Sequence, residues 1–488
     1  MIMFSKFVGS FKSKLGNSNS SLPSPSNSNK QRSGSRRKIS FDHHTNRQRE
    51  PENTTSCGTP GDRNTYCRPH FLQLTKEEEA ASLNHSTRPI IVPKDVNQIP
   101  LGAGYAECIN GGKSPRNEDE AAVGSFVLSD HSNGLTDGKR SFEKLQVKYF
   151  AIFDGHAGTG ASLMAADQLI NHLQEKLVEI QEDIFKLLRQ ETVDSSRNIA
   201  SSVITIDSLI RGALEAAFLS FDEQIARERL SINISGGCAA IVALVLLNKL
   251  YVAHAGDCRA VIFFGNETIE IATEFTPETD AERIQNLAYI NPGLTHSFFS
   301  DNYFLSPLRE KDIGTRVLYR APQRAGWHCK EVTDEDVYKL PIVSGRGKWA
   351  RLMGVIGVTR GFGDHGLVVP NTDIHVKPFM TAVPEVRVFN LADRDIKEDD
   401  VMVMGCDGLW DMLSNEQVGL AVKASLAVSP GENSLDRYTR VAHQLVLMAR
   451  GEKTGRGWKM KNGQEASFDD ISAFVIPLHR CLDTSFKK

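Results

Sequence analysis

Apolar positions follow different rhythms in different parts of this chain. At the start, Phe4, Phe7, Val8, Phe11 and Leu15 keep helical spacing, with Lys6, Lys12 and Lys14 flanking the stripe. Residues 16–75 then carry few large apolar groups and are dominated by Ser, Asn, Pro and Arg up to Thr65. Such a stretch buries too little surface to offset its ordering entropy, so it is expected to be a disordered linker. From about Leu101 the pattern is that of a packed domain. Residues 147–153 form a near-continuous apolar run, the mark of a strand buried on both faces. Helical periodicity follows over 161–188 and again over 208–229, where Leu209, Ala213, Ala216, Ala217 and Leu219 share a side.

Residues 238–247 and 250–254 read as a strand pair turned at Asn248-Lys249, and residues 259–264 continue the meander. Further strands are expected at 401–405 and 471–476, and Ser414 with Gln417 reads as a capping box opening a helix. Strands come in runs and helices in pairs. That favours an α+β domain of antiparallel sheets over a doubly wound one. The domain is expected to span 76–480, with a tail at 481–488. Residues 278–350 fit least well, because Gly293, Pro307, Gly314, Pro322, Gly326, Pro341 and Gly345 break every long element. They are read as an inserted flap.

With 488 residues, 40% of them apolar, the chain can bury one large core or two ordinary ones. A formal charge of −3 gives no basic field for nucleic acid. The eight cysteines form no Cys-x-x-Cys pair, which argues against a zinc site or a disulfide framework and for a reducing, cytoplasmic compartment. The longest apolar run, 238–247, falls well short of the about 20 residues a membrane span takes. Residues 1–15 are expected to touch a membrane surface as an amphipathic helix. A disordered tail, a helix docked on the domain and a mitochondrial transit peptide are the competing readings.

The candidate chemistry lies in carboxylates at strand ends. Asp154 follows the run at 147–153, Asp257 follows Gly256, Asp407 follows the strand at 401–405, and Asp469-Asp470 precede the strand at 471–476. Glu118-Asp119 follows the short segment 104–110. A lone Asp-Gly is ordinarily a turn. Several carboxylates crowded together repel one another unless cations sit among them, and an all-oxygen set suits Mg²⁺ or Mn²⁺. By themselves these residues indicate a metal hydrolase of unspecified substrate. Gly155 and Gly408, after two of the aspartates, are expected to let the backbone turn sharply towards the metals.

In order, Asn117-Glu118-Asp119, Asp154-Gly155-His156-Ala157-Gly158, Ser235-Gly236-Gly237-Cys238 and Gly256-Asp257-Cys258-Arg259 resemble motifs of the PPM family, the type 2C metal-dependent protein serine/threonine phosphatases. So do Gly357-Val358-Thr359-Arg360-Gly361-Phe362-Gly363-Asp364, Asp407-Gly408-Leu409-Trp410-Asp411 and Asp469-Asp470-Ile471-Ser472. Within the family the chain is most similar to the branch containing protein phosphatases 1H, 1J and 1M. The resemblance implies two antiparallel sheets packed as a sandwich, with helices on both outer faces and a flap beside the cleft. It implies two divalent cations, Mg²⁺ or Mn²⁺, at Asp154, the carbonyl of Gly155, Asp407 and Asp469. Glu118 would hold a metal-bound water, and Asp257 would serve a weaker third metal.

The implied reaction is in-line attack on phosphorus by a hydroxide shared between the cations, with His156 protonating the leaving oxygen. Phosphorylated proteins are the implied substrates, with Rab-type GTPases a candidate class. The sequence departs from the family at the arginine that grips substrate phosphate. Ser114 stands there, leaving Lys113 or Arg116 to take the role. A pseudophosphatase or a small-phosphate hydrolase is the alternative.

Overall fold

A computed structural model describes residues 66–130, 144–193, 204–295, 298–300, 302–306, 308–427, 436–455 and 457–483. All of them lie in one compact unit, Gly58–Lys488. The amphipathic stripe at 1–15, the linker as far as residue 65 and residues 484–488 of the tail fall outside the described residues.

Two six-stranded antiparallel sheets face each other. The first runs Ile90–Ile91, Gly104–Cys108, Ile471–Pro477, Val401–Gly405, Arg259–Phe264, Glu267–Ala272. The second runs Glu385–Asn390, Lys249–Ala255, Gly237–Leu246, Lys144–His156, Glu120–Ser129, and Phe362–Gly363 pairs with the start of Gly237–Leu246. Side chains alternate along each strand, which sorts them between two cores. Phe150 and Ile152 meet Met402, Met404, Phe474 and Ile476 between the sheets. Ala151 and Phe153 point the other way, under helices Gly160–Glu179, Gln181–Val193 and Ile206–Glu228. Val401, Val403 and Val475 likewise pack under helices Asn415–Ala427 and Asp436–Arg450. This is the α+β sandwich, helices on both outer faces. No helix among the described residues is long and apolar enough to cross a membrane.

Local details differ from the sequence reading. The hairpin turns at Leu247-Asn248, one residue early, because both adopt positive φ (55° and 56°) as a two-residue primed turn requires. The insert has a core of its own: Ile284, Phe299, Ile342 and Leu352 pack with Val369, Val376, Phe379 and Met380, well past residue 350. Its strands, among them Tyr303–Phe304, Arg316–Arg320 and His328–Glu331, are too short to show a period.

Residues 66–75, expected in the disordered linker, belong to the fold instead. Phe71 and Leu72 are buried between the sheets. Arg68 is buried with them, its guanidinium donating to Glu107 at 2.7 and 2.8 Å and to Glu120 at 2.8 Å. Tyr105 Oη donates to the same Glu107 carboxylate at 2.8 Å. Burial pushes the Glu120 carboxyl up to about 8 although Arg68 opposes it. Removing one partner of such a network leaves charge uncompensated. Arg68→Met is therefore expected to cost about 3–5 kcal/mol in denaturant unfolding. Adding Glu107→Gln and Glu120→Gln should restore most of that. A loss under about 1 kcal/mol, the surface-pair range, would contradict this account.

Candidate active site

Strand direction gathers the carboxylates. Lys144–His156 and Lys249–Ala255 both run antiparallel to Gly237–Leu246, so they end at the same edge on either side of it, carrying Asp154 and leading into Asp257. Glu120–Ser129 is antiparallel to Lys144–His156 and begins at that end, just after Glu118-Asp119. The Gly256-Asp257-Cys258 turn crosses to the other sheet, where Arg259 pairs with Gly405 and Gly405 with Ala473. Asp407 and Asp469-Asp470 therefore sit at the same end. Asp154 shares the parity of Phe150 and Ile152, which directs its side chain between the sheets.

Asp119 and Asp154 offer oxygens within 4.8 Å of one another and of Cys406 Sγ. The Asp407 N–H donates to Asp154 Oδ2 at 3.3 Å. Ser472 Oγ donates to Asp119 Oδ2 at 2.8 Å. Asp470 accepts from the backbone N–H of Asn110 at 2.8 Å and of Glu118 at 3.0 Å, which pins the two loops together. Gly158 N–H donates to Glu118 Oε1 at 2.8 Å. Gly155 and Gly408 stand where other loops pass closely. A Cβ there would lie 2.2 Å from the Glu118 carbonyl and 1.8 Å from that of Asp470, so both glycines admit a neighbouring backbone.

Burial pushes Asp154, Asp119 and Asp407 well above the usual carboxylate range, and the neighbouring aspartates add to it. Burial also raises Glu118 and brings Asp257 and Asp470 up to about 6. Asp154, Asp257, Asp407 and Asp469 are partly exposed, so the crowd opens to solvent on one side. Hard oxygen donors, mutual repulsion and an open face fit divalent cations. Cys406 does not belong to the donor set, since its sulfur already accepts from Ser472 N at 3.1 Å and is soft.

The phosphate-gripping candidates are occupied. Lys113 Nζ donates to Asp469 Oδ2 at 2.5 Å. Burial works to lower its pKa, but Asp469, with Asp407 and Asp154 behind, outweighs that and holds it up. Arg116 lies over the Tyr66 ring at 4.9 Å. His156 Nε2 is 2.6 Å from Asp364 Oδ2. Burial disfavours the imidazolium, yet the hydrogen bond and charge of Asp364, then Asp257 and Glu118, raise its pKa.

Three residues went unassigned in the sequence. Asp119 stood unused beside Glu118, and Asp364 closed a motif without a role. Arg88 gave no signal: fully buried, it donates to the carbonyls of Ile109 (2.7 Å), Ser467 (2.6 Å) and Asp469 (3.0 Å), and so fixes the Asp469 loop.

Crowded carboxylates open to solvent on one side define a candidate divalent-cation centre. The Protein phosphatase 2C family profile matches residues 125–287 and 343–455, and the chain belongs to that family of metal-dependent protein serine/threonine phosphatases. Residues 288–342, most of the insert, lie between the matched stretches. The Homo sapiens protein named Protein phosphatase 1H is 39% identical over 470 residues, covering 85% of this chain and 91% of that protein. Protein phosphatase 1J of Mus musculus is 42% identical over 437 residues, covering 85% and 86%. A serine-threonine phosphatase 2C structure from Toxoplasma gondii aligns over 80% of this chain and 99% of that one, at 14% identity and TM-score 0.40.

Proposed function

We propose that this chain hydrolyses phosphoserine and phosphothreonine in folded protein substrates with two divalent cations, Mg²⁺ or Mn²⁺, held at Asp154, Asp407, Asp469 and the Gly155 carbonyl. Glu118 would hold a water beside them, and Asp257 would hold a weaker third cation. The observation that carries this reading is the convergence of Asp119, Asp154, Asp257, Asp407 and Asp469 at one end of the sandwich. When bound, the cations supply Lewis acidity at the phosphoryl group and lower the pKa of water.

The protein side chains do the rest. Asp119 lines the centre beside Asp154, held by Ser472. His156 delivers a proton to the departing serine or threonine oxygen, and Asp364 orients its ring. Lys113 acts as a point charge beside Asp469, where a guanidinium fork would be bidentate. The insert beside the site selects among proteins, since loops on a rigid scaffold commonly carry specificity. Phosphorylated Rab-type GTPases are the candidate class, on the strength of the resemblance to the 1H, 1J and 1M branch.

The test is phosphate release from a phosphothreonine peptide. Turnover should require Mn²⁺ or Mg²⁺ and stop in excess chelator. Full activity in chelator rules out the two-cation reading, and inactivity under every metal favours a pseudophosphatase.

A further inference from the structure

The insert returns to the catalytic domain through residues 344–350, a segment that is tightly built. Trp349 N–H donates to the Arg346 carbonyl at 3.0 Å and Ala350 N–H to that of Gly347 at 2.9 Å, closing one short turn at Gly347–Trp349. Arg351 stiffens it from behind, donating to the carbonyls of Lys348 at 2.9 Å and Ala350 at 2.6 Å. Gly347 N–H donates to Glu278 Oε2 at 2.6 Å. Glu278 follows Phe275, whose N–H donates at 2.8 Å to the carbonyl of Gly256, the residue before Asp257. Two hydrogen bonds and a few covalent links thus tie the turn to the rim of the carboxylate cluster.

This rigid turn presents Lys348 and Trp349 outward. Both are exposed, Trp349 at 73%, and the Lys348 ammonium lies 5.8 Å from the indole ring. Other cations near the site are engaged: Lys113 with Asp469, Arg116 with Tyr66, Arg259 with Glu274 and Asn415, and Arg360 with Phe275 and Asp280. Among the described residues no carboxylate is within ion-pair distance of Lys348.

A preorganised cation without an ion-pair partner, next to an exposed indole, suits a ligand better than the fold. We propose that Lys348 is a specificity residue that binds an anionic group of the substrate, from a turn fixed at the mouth of the site. The inference rests on the phosphatase reading above. The anion is either the scissile phosphate or a carboxylate flanking the phosphorylated residue, and the two sources separate by experiment.

Full-length wild type, Lys348→Ala, Lys348→Glu and Lys348→Arg are compared with Mn²⁺ on p-nitrophenyl phosphate and on two phosphothreonine peptides, one with neutral and one with glutamate flanks. Lys348→Ala should raise KM about tenfold with little change in kcat, Lys348→Glu more, and Lys348→Arg should largely restore it. A KM effect confined to the glutamate-flanked peptide identifies the flanking carboxylate. A KM effect shared by all three substrates, with an unaltered melting temperature, identifies the phosphate. No variant shifting KM more than about twofold, or losses in kcat accompanied by a lower melting temperature, would overturn the proposal. Wild type inactive on all three substrates would instead bring down the phosphatase reading, and this inference with it.

Discussion

Asp154→Ala should abolish turnover and yet, in chelator, melt no lower than the wild type. The Asp154 carboxyl is crowded by Asp119, whose nearest oxygen lies within 4.8 Å, and by Asp257 and Asp469. Two like charges at that separation cost about 1 kcal/mol at the dielectric of water and about 3.5 kcal/mol at an effective dielectric of about 20. Deleting one charge relieves that repulsion, at the expense of one long hydrogen bond from Asp407 N. Saturating Mn²⁺ should reverse the order, because cations that bind only the folded wild type stabilise it by mass action.

The pH dependence follows from the same groups. A carboxyl whose folded pKa is raised favours the folded state while protonated. That stability is complete below the unfolded value and fades as pH rises through the folded one. In chelator the wild type should therefore lose stability as pH rises from about 4 through 6, where Asp257 and Asp470 titrate. Bound Mn²⁺ should suppress that loss. Calorimetry with and without metal measures both effects. An Asp154→Ala protein that is less stable than wild type in chelator, or that Mn²⁺ still activates, would refute the account.

Much of this site was legible because its carboxylates punctuate apolar runs. A strand such as Lys144–His156 has to be apolar on both faces to sit between a second sheet and a helical layer, and Asp154 stands out where that run stops. The helix start at Ser414 was legible for a local reason, and both reciprocal bonds with Gln417 are present, at 2.9 and 3.2 Å. What stayed hidden depends on contacts far apart in sequence. Asp364 meets His156 across 208 residues, and Arg88 reaches Ser467 across 379. Neither produces a period or a spacing. Phe71 and Leu72 were lost for a different reason. Two apolar residues next to a long polar stretch do not alter its composition, although Arg68 beside them has two buried carboxylates to neutralise.

His156→Ala should separate two kinds of substrate. A serine or threonine oxygen leaves as a poor alkoxide unless it is protonated, whereas p-nitrophenolate leaves unaided. General acid catalysis contributes about 10²–10⁴-fold, so turnover of a phosphothreonine peptide should fall by that much. Turnover of p-nitrophenyl phosphate should fall far less. Asp364→Asn should act in the same direction and more weakly. It leaves the imidazole in place but removes the charge that, at 2.6 Å, overcomes the penalty of burying an imidazolium. Asp364 is itself held: its N–H donates to the Gly236 carbonyl at 2.8 Å, and Gly363 N–H donates to Asp222 Oδ1 at 2.9 Å. Lys377 engages the other oxygen of Asp222, so the segment that aims Asp364 is anchored from behind. The ratio of peptide to aryl ester turnover is the quantity to measure, since a general loss of folded protein cancels from it. Equal losses on both substrates in His156→Ala would assign His156 a structural part and leave the proton donor elsewhere.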